Sequence, residues 1–138
     1  MNSIDAELLS SLRDQAALAS RNAYSPYSQF QVGAAVIDRE GRVFVGCNME
    51  NASFGLTQCA ERNAIAAAIG SGSKVRDLLT LVIYVPGELA LPPCGACRQV
   101  MHEMMADDSL VIACCDGDDV KTWSPQQYLP DAFDFHKY

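Results

Sequence analysis

Histidine is scarce in this sequence, positive charge is in deficit and no long apolar run is present. Two histidines in 138 residues make a histidine-rich metal site a poor expectation. No apolar stretch approaches the roughly 18 residues that a membrane-spanning helix needs, so no membrane partner is expected. Ten Lys and Arg stand against seventeen Asp and Glu, for a net charge of −7, and no basic cluster is visible. Affinity for nucleic acid comes largely from Lys and Arg set against phosphates, so nucleic acid is not an expected partner. Internal repeats, linkers and low-complexity tracts are also absent. Near the N-terminus, Asp5 and Glu7 stand where a secretory signal would carry positive charge and then an apolar stretch. A cytoplasmic protein is therefore expected. On that reading the tripeptide Asn51-Ala52-Ser53, which matches a glycosylation acceptor, has little weight.

What is present is enough for one domain spanning residues 1–138. Hydrophobic residues make up 49% of the chain and charged residues 20%, the balance of a globular protein with its own core. Ile4, Leu8, Leu12, Ala16 and Ala19 lie at helical spacing within residues 3–22. Residues 30–37 and 42–47 are short apolar runs separated by Asp38-Arg39-Glu40-Gly41, which reads as a hairpin. Residues 59–69 are rich in alanine and read as a buried helix, stopped by Gly70 to Ser73. Strands are expected at 78–85, 110–115 and 120–123, and helices at 95–106 and 125–129. This order predicts an α/β fold: a mixed five-stranded sheet with helices on both faces, a three-layer α/β/α sandwich.

The chain has six cysteines. In a reducing compartment they suggest metal binding or catalysis before disulfides. Cys94 and Cys97 form a C-x-x-C at a loop-to-helix junction, a spacing that lets two thiolates share one ion. The helix N-terminus lowers thiol pKa, which favours ligation. A thioredoxin-like redox pair is the competing reading, although such pairs usually lie in the first βαβ unit. Cys59 opens a second helix and would be a third thiolate, leaving one open position, the mark of a catalytic rather than a structural zinc. Three thiolates around zinc make a poor Lewis acid, and Arg62 could temper that charge by hydrogen bonding to a sulfur. Glu61 lies two residues past Cys59. Residues i and i+2 of a helix point roughly 200° apart, so both face one site only if Cys59 stands at the very start of the helix. Alone, Glu61 reads as an ordinary first-turn acid.

Taken together these residues resemble the small zinc-dependent cytidine deaminases. The likeness runs through Cys59-Ala60-Glu61-Arg62 and Pro93-Cys94-Gly95-Ala96-Cys97-Arg98-Gln99-Val100. It extends to Tyr24-Ser25-Pro26-Tyr27-Ser28 with Phe30, Val32 and Gly33, to Gly46-Cys47-Asn48-Met49-Glu50-Asn51-Ala52, and to Leu129-Pro130-Asp131-Ala132-Phe133. The zinc deaminases are known for a three-cysteine variant and a P-C-x-x-C signature. The resemblance implies one zinc ion per subunit held by Cys59, Cys94 and Cys97, with Glu61 as the proton shuttle and Arg62 tempering thiolate charge. It implies substrate contacts from Phe30 to the pyrimidine, from Asn48 and Glu50 to the ribose hydroxyls, and from Ala60. Phe133 would reach a neighbouring subunit's site in a homotetramer whose sites lie near subunit interfaces. The implied reaction is hydrolytic deamination of cytidine and 2′-deoxycytidine to uridine, 2′-deoxyuridine and ammonia. In it, zinc-activated hydroxide adds at C4, in pyrimidine salvage. Phe54 stands where many members carry Tyr, which removes one hydroxyl near the sugar. Glu50 would repel a phosphate close to the sugar, so nucleosides are expected over nucleotides and polynucleotides.

Three other functions compete with this one. The chain could deaminate a related modified or antibiotic aminopyrimidine nucleoside. It could be a non-catalytic zinc module, which predicts a fourth protein ligand and no task for Glu61. A polynucleotide editor fits poorly with the acidic charge. Plain readings hold elsewhere. His102-Glu103 lacks the second histidine of a metalloprotease box and reads as a solvent-facing helix pair. Met101, Met104 and Met105 read as core or interface filler. Cys47, Cys114 and Cys115 read as buried thiols, and Asp116 to Asp119 as an acidic turn.

Overall fold

Helix α1 (Ala6–Ser20) begins the computed structural model, in which residues 4–135 are described. Ser3, the first residue of the expected opening helix, and His136, Lys137 and Tyr138 of the aromatic tail lie outside the described residues. Asp5 caps α1, its Oδ1 accepting from the Glu7 amide at 3.0 Å. The helix buries Leu12, Ala16 and Ala19, the face marked out by the apolar spacing.

Strands β1 (Gly33–Asp38) and β2 (Val43–Cys47) form the expected hairpin, with Ala35 opposite Val45. Its turn is organised by Asp38, which is 3% exposed. The Asp38 carboxylate accepts from the amides of Glu40 and Arg42, from Arg42 Nε at 2.9 Å and from Ser73 Oγ at 2.7 Å. Helix α2 (Ala60–Gly70), strand β3 (Leu78–Tyr84), helix α3 (Gly95–Met104) and strand β4 (Met105–Cys114) follow. Strand β5 (Lys121–Trp123) and the single turn α4 (Pro125–Tyr128) complete the described elements. The sheet order is β2-β1-β3-β4-β5, and only β3 and β4 run parallel. A parallel pair needs a crossover, and α3 supplies it.

Each face of the sheet has its own core. On one side α1 packs Leu12 and Ala16 against Ala35, Val82 and Ile112. On the other, Ala60, Ala64 and Ala68 of α2 and Met101 of α3 meet Val36, Leu81 and Val111, with Tyr128 of α4 alongside. The sandwich is therefore three-layered, as the pattern of elements predicts. Alternating strand residues go to opposite faces, so β1 to β4 feed both cores, while β5 adds only Trp123 to the second.

Several boundaries differ from the sequence reading, three of them with a visible cause or consequence. The first strand starts at Gly33 rather than residue 30, because the Asn48 side chain takes up the backbone before it. Asn48 Nδ2 donates to Phe30 O at 2.8 Å and its Oδ1 accepts from Val32 N at 2.9 Å. Helix α3 ends at Met104, and β4 begins at Met105 rather than residue 110, with a register irregularity between Leu78 and Thr80. Arg76 marks that exit, donating from its amide to Met104 O at 2.8 Å and from Nη1 to His102 O at 3.0 Å. His102 itself is a correction: its side chain is only 20% exposed and its Nε2 lies 4.0 Å from Asp134 Oδ2. Met101 is fully buried and Met105 nearly so, in agreement with core filling. Cys114 and Cys115 are buried, while Cys47 is half-buried.

Gly46 sets how closely α2 lies on the hairpin. A Cβ placed there would come within 2.5 Å of Ala64 N and 2.6 Å of Ala60 O, both backbone atoms. Only glycine allows that approach, and it places the first turn of α2, with Glu61, against the end of β2.

Candidate active site

Two helix starts converge on one cluster of sulfur atoms. Cys59 is the N-cap of α2 and Cys94 the N-cap of α3, both with extended backbone. Cys94 Sγ accepts from the Cys97 amide at 3.5 Å, so the thiol does the work of a capping hydroxyl. Cys97 then falls on the first turn of α3 and is fully buried. Cys59 Sγ and Cys94 Sγ are 3.8 Å apart, and the three sulfurs lie within 4.8 Å of one another. Among the described residues this is the group of His, Cys, Asp and Glu side chains placed to hold a metal ion.

The electrostatics favour thiolates here. The positive ends of two helices point at the sulfurs. Arg62 Nη2 donates to Cys59 Sγ at 3.2 Å and to Thr57 O at 3.4 Å. A hydrogen bond from Cys97, then the Arg62 guanidinium, pull the Cys59 thiol well below the ordinary thiol range. Cys97 moves the opposite way, raised by the same hydrogen bond and by burial. A soft divalent ion that accepts thiolate ligands suits this donor set, and Arg62 offsets the charge left over. The fit to zinc follows from these three thiols and their cationic neighbour.

The cap geometry also meets the condition placed on Glu61. Cys59 stands outside the helix with ψ of 154°, so it and Glu61 can face one site despite being two residues apart. Glu61 is 5% exposed. Burial pushes its carboxyl above the usual carboxylate range, and the Cys59 sulfur adds to the rise. An upward shift of this kind favours the protonated carboxyl and suits a group that must take up and return a proton.

Beside the cluster lies a cavity of about 190 Å³. Cys59, Ala60 and Glu61 line it together with Phe30, Asn48, Leu91 and Pro92. Phe30, Asn48, Ala60, Glu61 and Cys59, five of the residues singled out in the sequence, thus meet in one place. Asn48 is 9% exposed and is engaged by the backbone of residues 30–32, so it shapes the wall that Phe30 stands on. Glu50 is not among the cavity residues. Its Oε1 accepts from the amides of Tyr27 at 2.9 Å and Ser28 at 3.1 Å, and its Oε2 from the Ser28 hydroxyl. Ser28 holds the Glu50 carboxyl below its usual range, first through the hydroxyl. Phe133 also lies away from this cavity, 60% exposed, beside a cleft lined by Val75, His102 and Glu103. That cleft and its neighbour are larger, about 750 and 760 Å³, but neither touches a cysteine. Chemistry rather than volume selects the site. The sequence reading missed Thr57, Leu91 and Pro92 as cavity residues. Only the proximity of Leu91 and Pro92 to Cys94 could have signalled them.

A C-x-E at one helix start, lining the cavity, and a C-x-x-C at the next, whose sulfurs meet that of Cys59, form the pattern of a zinc deaminase site. The chain belongs to the cytidine and deoxycytidylate deaminase family: the family's zinc-binding region matches residues 6–114. A cytidine deaminase of Halalkalibacterium halodurans is 43% identical over 119 residues, covering 86% of this chain and 89% of that protein. One from Mycobacterium tuberculosis is 41% identical over 122 residues, covering 88% of this chain and 86% of the relative. The crystal structure of a cytidine deaminase from Burkholderia pseudomallei superposes with a TM-score of 0.86 at 41% identity, covering 90% of this chain and 98% of that one. No helix among the described residues is long and apolar enough to cross a membrane.

Proposed function

We propose that the protein is a zinc-dependent hydrolase that deaminates cytidine and 2′-deoxycytidine to uridine, 2′-deoxyuridine and ammonia. The observation that carries this reading is the placement of Glu61. A buried carboxyl on the first turn of α2 faces the same small cavity as the thiol at that helix's cap. A non-catalytic zinc module would give Glu61 no task there. Cys59, Cys94 and Cys97 would hold the zinc, which when bound makes water acidic enough to act as hydroxide near neutral pH.

The roles of the chain's own residues follow. Glu61 takes a proton from the attacking water and delivers it to N3 of the ring, which readies C4 for attack. Once oxygen has added at C4, Glu61 takes the proton of the new C4 hydroxyl and passes it to the exocyclic amine, so that the C4 carbonyl forms. The C4–N bond breaks and ammonia leaves. Phe30 packs on the pyrimidine, and Ala60 lines the ring's end of the cavity. Asn48 and Glu50 serve the ribose hydroxyls, Asn48 while bracing the backbone at Phe30. The negative charge of Glu50, kept by Ser28, opposes a phosphate near the sugar.

A panel of substrates tests this reading. Zinc-loaded protein is expected to turn over cytidine and 2′-deoxycytidine, and to leave cytidine monophosphate and free cytosine untouched. Absence of turnover on every cytosine nucleoside would sink the proposal. A preference for the monophosphate would remove the nucleoside assignment.

Assembly as a homotetramer, in the cytoplasm and in pyrimidine salvage, belongs to the same proposal. The cavity of about 190 Å³ falls below the roughly 300–1,000 Å³ usual for ligand pockets. A neighbouring subunit bearing Phe133 would help enclose the nucleoside. Exposed Tyr24, Met49, Phe54 and Leu56 offer apolar surface for such contacts. Light scattering at working concentrations is expected to give the mass of a tetramer, and a monomer that is fully active would contradict it.

A further inference from the structure

The acidic turn at residues 116–119 is tied to the loop that walls the cavity. Residues 85–93 run from the end of β3 to Cys94 and contribute Val85, Leu91 and Pro92 to the cavity lining. At the near end of this loop the Asp116 carboxylate accepts from Gly87 N at 2.8 Å and from the Tyr84 hydroxyl. The Asp116 amide donates back to Gly87 O at 2.9 Å. Further along, Asp119 Oδ2 accepts from Ala90 N at 2.9 Å. Lys121 Nζ donates to Ala90 O at 2.7 Å and lies 3.5 Å from Asp119 Oδ2. Ala90 is fully buried. One ion pair thus grips both the N–H and the C=O of the residue next to Leu91.

Beyond Ala90 the loop is next held at Pro93, whose carbonyl accepts from Arg98 Nε at 2.8 Å. Pro92 and Pro93 have no N–H to donate. The next backbone donor bonded to a cap is the Cys97 amide, which is already inside α3. Leu91 and Pro92 thus stand between two fixed points, the grip on Ala90 and the bond at Pro93, and the grip on Ala90 sets how they enter.

We propose that Asp119 and Lys121 are positioning residues for the substrate cavity: their ion pair clamps Ala90 and thereby sets Leu91 and Pro92 against the bound nucleoside. This deepens the deaminase reading given above and rests on it. Because Glu61 and Cys97 lie on the first turns of α2 and α3, and Cys59 and Cys94 cap those helices, the clamp acts on binding rather than on the chemical step.

Steady-state kinetics on cytidine with zinc-loaded protein test it. Asp119→Ala and Lys121→Met are each expected to raise KM about five- to tenfold, the scale of one ordinary hydrogen bond. kcat should stay within about twofold and zinc content should not change. Asp119→Asn keeps an oxygen that accepts from Ala90 N, and should restore most of the affinity. A fall in kcat with KM unmoved, a loss of zinc, or lower thermal stability without any change in KM would overturn the proposal. Should Asp119→Ala fail to fold, Lys121→Met carries the same test from the other side of the peptide. Amide hydrogen exchange separates this proposal from the substrate assignment. Exchange at Ala90 should accelerate in Asp119→Ala while the amides of α3 keep their protection. Unchanged exchange there overturns the clamp whatever the substrate, whereas wild-type protein inert on all cytosine nucleosides overturns the deaminase reading.

Discussion

Glu61→Ala is expected to abolish most turnover while leaving the fold and the bound zinc intact. The carboxyl is 5% exposed and lies on the first turn of α2, directly after the cap that presents Cys59. Its loss removes the one group in the cavity able to take a proton from water and return it to the ring and then to the amine. General acid–base catalysis by one positioned side chain contributes about 10²–10⁴-fold, and one carboxylate serves here in successive steps, so kcat should fall at least that far. KM should move little, because Phe30 and the sugar-side residues are untouched. Zinc should be retained, since the three sulfurs keep their geometry and lose a nearby negative charge. Alanine fits helix interiors well, so the helix should not suffer. Glu61→Gln provides the control: it keeps the volume and loses only the titrating group. Turnover and zinc content of both variants decide the matter, and substantial activity in either would remove Glu61 from the proton transfers.

How much of this could be read from the sequence differs from element to element. The Cys59–Glu61 spacing stated its own geometric condition, and the N-cap position of Cys59 satisfies it. The alanine-rich run that became α2 was legible because small residues let the helix lie against the hairpin, where Gly46 leaves no room for a side chain. The start of β1 was not legible. Residues 30–32 have strand-like side chains, but their backbone is bonded by Asn48, a partner 16 positions away in the sequence. The end of α3 was equally hidden. Met104 and Met105 continue the apolar spacing, and the bonds from Arg76 to Met104 O and His102 O mark the change to strand. His102 followed from neither rule, because its surroundings come from Asp134 at the far end of the chain. The roles of Asp116 and Asp119 were invisible for the same reason: a run of acids looks solvated until the loop it grips is known. Local periodicity thus located the elements, while long-range side-chain-to-backbone bonds decided where they stop and what walls the site.

Cys94→Ser separates the two tasks that Cys94 performs. Serine is among the best N-cap residues, and its hydroxyl can accept from the Cys97 amide as the thiol does now. The start of α3 should therefore survive, and with it the position of Cys97. A serine hydroxyl, however, does not ionise near neutral pH and is a poor ligand for a soft ion beside two thiolates. Zinc in the purified variant should fall well below that of the unmodified protein, and cytidine turnover should fall with it. A thermal comparison isolates the metal from the cap. An ion that binds only the folded chain stabilises it by mass action. Chelation should thus lower the melting temperature of the unmodified protein and leave that of the variant unchanged. The metal-free forms of the two should melt close together, because the cap is preserved. A variant that retains full zinc would show that Cys94 is not a ligand. Metal-free forms that melt far apart would show that the thiol does more for α3 than a serine can replace.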